Sequence, residues 1–135
     1  MKTVVDSYAW IEHFLGSEKG KKTDEILQKS EEIYTPDIVL AEIARKYARE
    51  DVQESIISTR LEQIEDASSI IGLNAEMALT AAKCYLEIEA TAKKRKQTQP
   101  SLIDGIILAV GKTLNAKILT GDQHFKDQAE TIWLG

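Results

Sequence analysis

KTVVDSYAW at residues 2–10 runs a β-branched stretch, Thr3-Val4-Val5, into an aspartate, and Ser7–Leu15 then takes up helical spacing with Trp10 and Phe14 four apart. A strand that stops at an acid and passes straight into a helix sets the pattern for the whole chain. Outward from it, Gly16 and Gly20 punctuate and Lys21–Ser30 predicts a second short helix. Ile33–Thr35 predicts a second strand closed by Pro36, and Asp37 caps a helix running to about Glu50. Val52, Ile56, Ile57, Leu61 and Ile64 mark an amphipathic helix through about Asp66. Ser68–Leu73 is strand-like, Asn74 caps a long helix to about Lys96, and Gln97–Pro100 breaks it. A helix over Leu102–Leu114 follows, then a strand over Lys117–Thr120 and a Gly121-Asp122 turn. A single helical turn at Gln123–Lys126 and a strand at Thr131–Leu134 complete the series. Short, almost continuously apolar strands alternating with helices describe a parallel sheet covered on both faces. The expected class is α/β, an open sheet in three layers.

The 135 residues suit one domain over 1–135, long enough to bury a core without staples. With 43% hydrophobic and 29% charged residues, the composition excludes a disordered chain. No apolar run reaches the ~18 residues of a membrane span. The N-terminus has one lysine and then a strand-like run, which is not the pattern of a signal peptide. Cys84 has no partner for an internal disulfide, and with only His13 and His124 beside it, zinc is excluded too. The expected compartment is the cytoplasm.

A net charge of −5 argues against nucleic acid as a partner, but its distribution is uneven. Residues 1–90 carry 10 bases and 18 acids, whereas TAKKRKQTQ at 91–99 carries four bases and no acid. Lys93, Lys94, Arg95 and Lys96 read either as the solvated end of a helix or as a contact for phosphates.

Open parallel sheets bind ligands outside the carboxyl ends of their strands. Asp6 follows TVV directly and Asp122 follows KILTG; Asp104 and Glu42 lie in the first and second turns of helices that start on the same side. Four carboxylates from four distant segments would then converge at one sheet edge. Carboxylates so placed repel one another and call for a divalent cation, and an all-oxygen set favours Mg²⁺ or Mn²⁺. That is a layout for metal-assisted phosphodiester hydrolysis. Each acid also has a structural rival. Asp6, Asp104 and Asp122 all stand at cap positions, Asp104 completing Ser101-x-x-Asp104. On a helical wheel, Glu42 lies opposite the stripe Val39, Leu40, Ile43, Ala44, Tyr47 and Ala48, beside Arg45, Lys46 and Arg49, so alone it reads as solvated.

VVDSYAWIEHF (4–14), TPDIVLAEIAR (35–45), SLIDGIILA (101–109) and ILTGDQHF (118–125) together resemble the four acidic motifs of the PIN domain. The likeness is in particular to the small toxin ribonucleases of VapBC toxin–antitoxin pairs, and it covers the whole chain in order. It implies a three-layer fold with a five-stranded parallel sheet, a metal site from Asp6, Glu42, Asp104 and Asp122, and cleavage of RNA. One ion, held mainly by Asp6, Asp104 and Asp122, would bind the scissile phosphate, with Glu42 completing the shell. Ser7 and Thr120 match positions where the family often has a hydroxyl supporting the site; as plain residues they read equally as capping and turn hydroxyls. His124 stands where many members have a further acid. By the same resemblance, the chain forms a homodimer and is held inactive by an antitoxin, an arginine of which reaches the acidic pocket in place of the metal. Lys93–Lys96 then falls near the rim of the site, where it can track an RNA backbone.

Neither histidine sits in a pattern that demands a catalytic base. His13 reads as a surface residue, and Cys84, in the pattern Met77, Ala81, Cys84, Ile88, as a small buried hydrophobe. Tyr8, Trp10 and Phe14 read as core, one of them alternatively lining a groove for a partner helix. A phosphatase with an aspartyl nucleophile after its first strand would need a second aspartate at position 8, where Tyr8 stands. A phospho-accepting receiver would need one ending Ser68–Leu73, which has none. A housekeeping RNA-processing nuclease and a non-catalytic RNA- or protein-binding scaffold remain as alternatives to the toxin.

Overall fold

The computed structural model describes all 135 residues. In chain order the elements are β1 (Lys2–Val5), α1 (Ser7–Leu15), α2 (Glu18–Lys29), β2 (Glu32–Pro36), α3 (Asp37–Arg49) and α4 (Glu54–Ala67). Then come β3 (Ser69–Ile71), α5 (Ala75–Lys94), α6 (Leu102–Leu114), β4 (Lys117–Thr120), a 3-10 turn at Gln123–Phe125 and β5 (Thr131–Trp133). The five strands form one all-parallel sheet in the order β3-β2-β1-β4-β5. The chain builds outward from β1 to β3, crosses back to lay β4 on the other side of β1, and ends at β5. Right-handed crossovers therefore put α1–α4 on one face of the sheet and α5–α6 on the other. The packing agrees: α1 meets α2 and α3, α3 meets α4, and α5 lies along α6, which rests on β1 and β4.

The central strands are apolar because both of their faces are covered. Val4, Val5, Ile118 and Leu119 are fully buried, with Trp10, Val39 and Ile43 packed from one side and Ile107 and Leu108 from the other. Burying such side chains contributes roughly 1.5–3 kcal/mol each. An indole N–H and two hydroxyls inside this core pair with one another. Trp10 Nε1 donates to Thr35 Oγ1 at 3.1 Å, and Thr35 Oγ1 shares a 2.7 Å bond with Ser68 Oγ. Cys84 is buried on α5, as its spacing predicts. No helix is long and apolar enough to cross a membrane.

The boundaries differ from the sequence reading at a few places, each with a physical reason. α2 starts earlier than Lys21, at Glu18, because Ser17 Oγ accepts from the Gly20 N–H at 3.0 Å and caps it. Gly20 is a contact inside that helix and no break: a Cβ there would lie 2.1 Å from the Glu12 carbonyl oxygen of α1. Asp37 does not cap α3. Pro36 holds the cap position and Asp37 is the first helical residue, where its charge favours the helix N-terminus. Ser68 ends α4, so β3 is shorter than Ser68–Leu73. α5 stops at Lys94, and Lys96 turns the chain with φ 54°. His13 is no plain surface residue. It pairs with Asp24 and packs against Trp10 and Phe14, tying α1 to α2.

Candidate metal centre

The order of the sheet reverses between β1 and β4, the position where open α/β sheets leave a crevice beyond the strand ends. Asp6 caps α1 there: its Oδ1 accepts from the Ala9 N–H at 3.0 Å, and its side chain is also bonded by Thr120 at the end of β4. Asp122 caps the 3-10 turn, its Oδ1 accepting the His124 N–H at 2.9 Å, while its own N–H donates to Thr120 Oγ1 at 3.0 Å. Thr120 thus holds both acids that follow the central strands. Asp104, on the first turn of α6, takes the Ser101 N–H on Oδ2 at 3.0 Å, the return bond of a capping box. Gly105 lets α6 approach α5, since a Cβ there would lie 2.7 Å from the Ala81 carbonyl oxygen. The capping roles of all three aspartates are real, and each leaves its carboxylate turned to the same cleft.

Glu42 departs from the helical-wheel reading. It is half-buried against the start of α1, where Ser7 bonds its carboxylate, and its Oε1 is buried with no partner. Asp6, Ser7, Glu42, Asp104 and Asp122 all line one cleft of about 430 Å³. Its other wall is Tyr8, Ile11, Leu15, Tyr47 and Ile107.

Crowding and burial act together on these acids. Burial pushes the Asp6 carboxyl up to about 7, against its bonds to Thr120 and Ala9, and the charges of Asp122 and Glu42 push the same way. Burial raises Glu42 as well, with Asp104 and Asp122 adding to it while Ser7 opposes. Asp104 is raised by burial and by Asp122, against the Ser101 N–H. A site that holds carboxylates at such cost fits a cation that would pair with them. The ligand atoms of Asp104, Asp122 and His124 lie within 4.8 Å of one another, and the unpartnered Glu42 Oε1 offers a further oxygen.

The family described as PIN domain matches residues 3–131 of the sequence. This chain belongs to the PIN domain family. Solved structures of similar fold include a toxin–antitoxin complex from Klebsiella pneumoniae, with a TM-score of 0.68, 17% identity, and 98% of each chain covered. VapBC2 from Rickettsia felis, bound to a DNA fragment from its promoter, matches with a TM-score of 0.67 and 18% identity over 98% of this chain and 97% of that one. VapC20 from Mycobacterium tuberculosis, described as a sarcin–ricin loop cleaving toxin, matches with a TM-score of 0.71 and 13% identity over 95% of each chain. At these identities the likeness is one of fold. No protein of curated function matches the sequence.

PIN domains are typically metal-dependent nucleases, and the donor set of this PIN domain is compatible with a metal site. The basic run stands outside the cleft. Lys93 pairs with Glu89 and Arg95 with Asp127, and Lys94 and Lys96 are exposed. The link after α5 nevertheless touches the loop that carries Asp122, through Thr98 to His124 and Gln123. The cation that does line the cleft is Lys46, with Arg45 and Arg49 beside it in an adjoining depression shared with Ser7 and Glu42. The sequence carried that signal, since all three lie on the Glu42 face of the helix.

Proposed function

We propose that this chain is a metal-dependent endoribonuclease, the toxin of a toxin–antitoxin pair, with Asp6, Glu42, Asp104 and Asp122 as its catalytic and metal-holding groups. The observation that carries this reading is the convergence of four acids from four distant segments on one cleft, with three of them forced above their ordinary pKa range. A fold without a use for those charges gains nothing from their repulsion. Mg²⁺ or Mn²⁺ would supply positive charge at the scissile phosphate and make an attacking water more acidic.

The residues of the chain hold the geometry. Thr120 fixes Asp6 and the turn to Asp122; Ser7 orients Glu42; the capping box fixes Asp104. Lys46, Arg45 and Arg49 are placed to bind the RNA backbone on the α3 side, and Lys93–Lys96 adds attraction from the α5 side. The toxin role draws support from fold neighbours solved as toxin–antitoxin complexes. The apolar wall of Ile11, Leu15 and Tyr47 suits an antitoxin peptide whose arginine enters among the acids.

The test is cleavage of RNA by the purified protein. Cleavage is expected with Mg²⁺ or Mn²⁺, none with EDTA, and a loss of orders of magnitude in Asp122→Asn, which keeps the shape and removes the charge. Undiminished cleavage in EDTA would overturn the reading.

A further inference from the structure

We propose that His124 is itself a ligand of the cation, through Nδ1, and that this nitrogen makes the site favour a first-row transition ion over Mg²⁺. The proposal rests on the metal-dependent reading above and deepens it.

The ring is held from its far side. Nε2 lies 2.7 Å from the carbonyl oxygen of Thr98. A carbonyl only accepts, so the ring hydrogen sits on Nε2 and Nδ1 of the neutral imidazole presents a lone pair. The side chain is 8% exposed, and Nδ1 is buried without a hydrogen-bond partner. It faces Asp122 Oδ1 at 2.9 Å and Asp104 Oδ2 at 3.9 Å. Neither oxygen satisfies it, because a carboxylate oxygen accepts and cannot donate to a lone pair; the two instead accept the His124 and Ser101 N–H groups.

A buried lone pair aimed at two acceptor oxygens is costly, because nothing donates to it. A cation among the three groups removes that cost, and their ligand atoms lie within 4.8 Å of one another, close enough to share one. A backbone carbonyl that holds the second ring N–H is also how proteins commonly orient a metal-binding histidine. The consequence is chemical. Mg²⁺ keeps to hard oxygen ligands, whereas imidazole nitrogen suits transition ions, so a mixed site loses affinity for Mg²⁺ relative to Mn²⁺.

Pulsed electron paramagnetic resonance of the Mn²⁺-loaded protein reads nitrogen ligation directly. Wild type is expected to show coupling of Mn²⁺ to a directly bound ¹⁴N, shifted on ¹⁵N labelling and absent in His124→Phe. In calorimetric competition, the preference for Mn²⁺ over Mg²⁺ should fall about tenfold or more in His124→Asp, where oxygen replaces nitrogen. Wild-type protein that binds Mn²⁺ with no nitrogen coupling overturns the proposal and leaves the metal-dependent reading standing. If wild type binds no divalent cation, both are overturned. The wild-type spectrum decides between these outcomes even if a variant fails to fold.

Discussion

Asp6 keeps its proton to about 7 in the folded chain, while in the unfolded chain it ionises near 3.8. Between those values the native state binds more protons, so stability falls as pH rises. The contribution is complete below the lower value and is gone once pH passes the upper one. At about 1.4 kcal/mol per unit, the loss is on the order of 4 kcal/mol. Metal-free wild type should therefore lose melting temperature as pH rises from 3.8 to about 7, relative to Asp6→Asn, which has no charge to bury. Parallel pH profiles for the two proteins, measured with chelator present, would remove Asp6 from the buried cluster. Asp6, Asp104 and Asp122 could be located from the sequence because each stands at a strand end or a helix start. Glu42 could not be oriented that way. A helical wheel describes one helix against an assumed core, and what half-buries Glu42 is the N-terminus of a different helix, with Ser7 bonded to it.

Helix α6 carries Asp104, and its depth is set by Gly105, where a Cβ would meet the backbone of α5 at 2.7 Å. Gly105→Ala should cost roughly 1–3 kcal/mol and reduce RNA cleavage together with it, because the helix must move. Gly72→Ala is the control: its Cβ would have no neighbour closer than 3.8 Å. Chemical denaturation and cleavage rates read both, and equal effects would mean that α6 is not held by this approach to α5. The two basic helix faces can be separated by salt. Changing Lys93, Lys94, Arg95 and Lys96 to Gln should flatten the salt dependence of RNA binding, by about 0.7 log units for each phosphate that is no longer neutralised. The Arg45, Lys46 and Arg49 triple change should flatten it more, since these residues border the cleft; an unchanged slope in either variant makes that face a mere solvated surface. The strands and the longer helices were legible from spacing alone. The start of α2 was not, because glycine reads as a break in sequence, whereas Gly20 is there for the closeness of α1.

As a whole molecule the chain carries a net charge of −5 and leaves Leu79 and Leu86, two turns apart on α5, each 61% exposed. The toxin role proposed above carries with it a second copy of the chain, which would cover apolar surface of this kind. Light scattering at micromolar concentration should give a dimer, and an inhibitory protein should co-purify when the chain is expressed with its genomic neighbour. A monomer without a partner would count against the toxin role.

The same sheet order that brings Asp6 beside Asp122 also fixes when they can meet. During synthesis β1, β2 and β3 leave the ribosome first, and they can pair only on one side of β1. The other edge of β1 waits for β4, the fourth strand in a series of five, so Asp6 meets Asp122, which follows β4, only after α6 and β4 have emerged. Such distant pairing is slow to form and fails together if the C-terminal quarter is missing. A chain stopped before β4 thus carries Asp6, Glu42 and Asp104 but lacks Thr120 and Asp122, and with them the proposed chemistry.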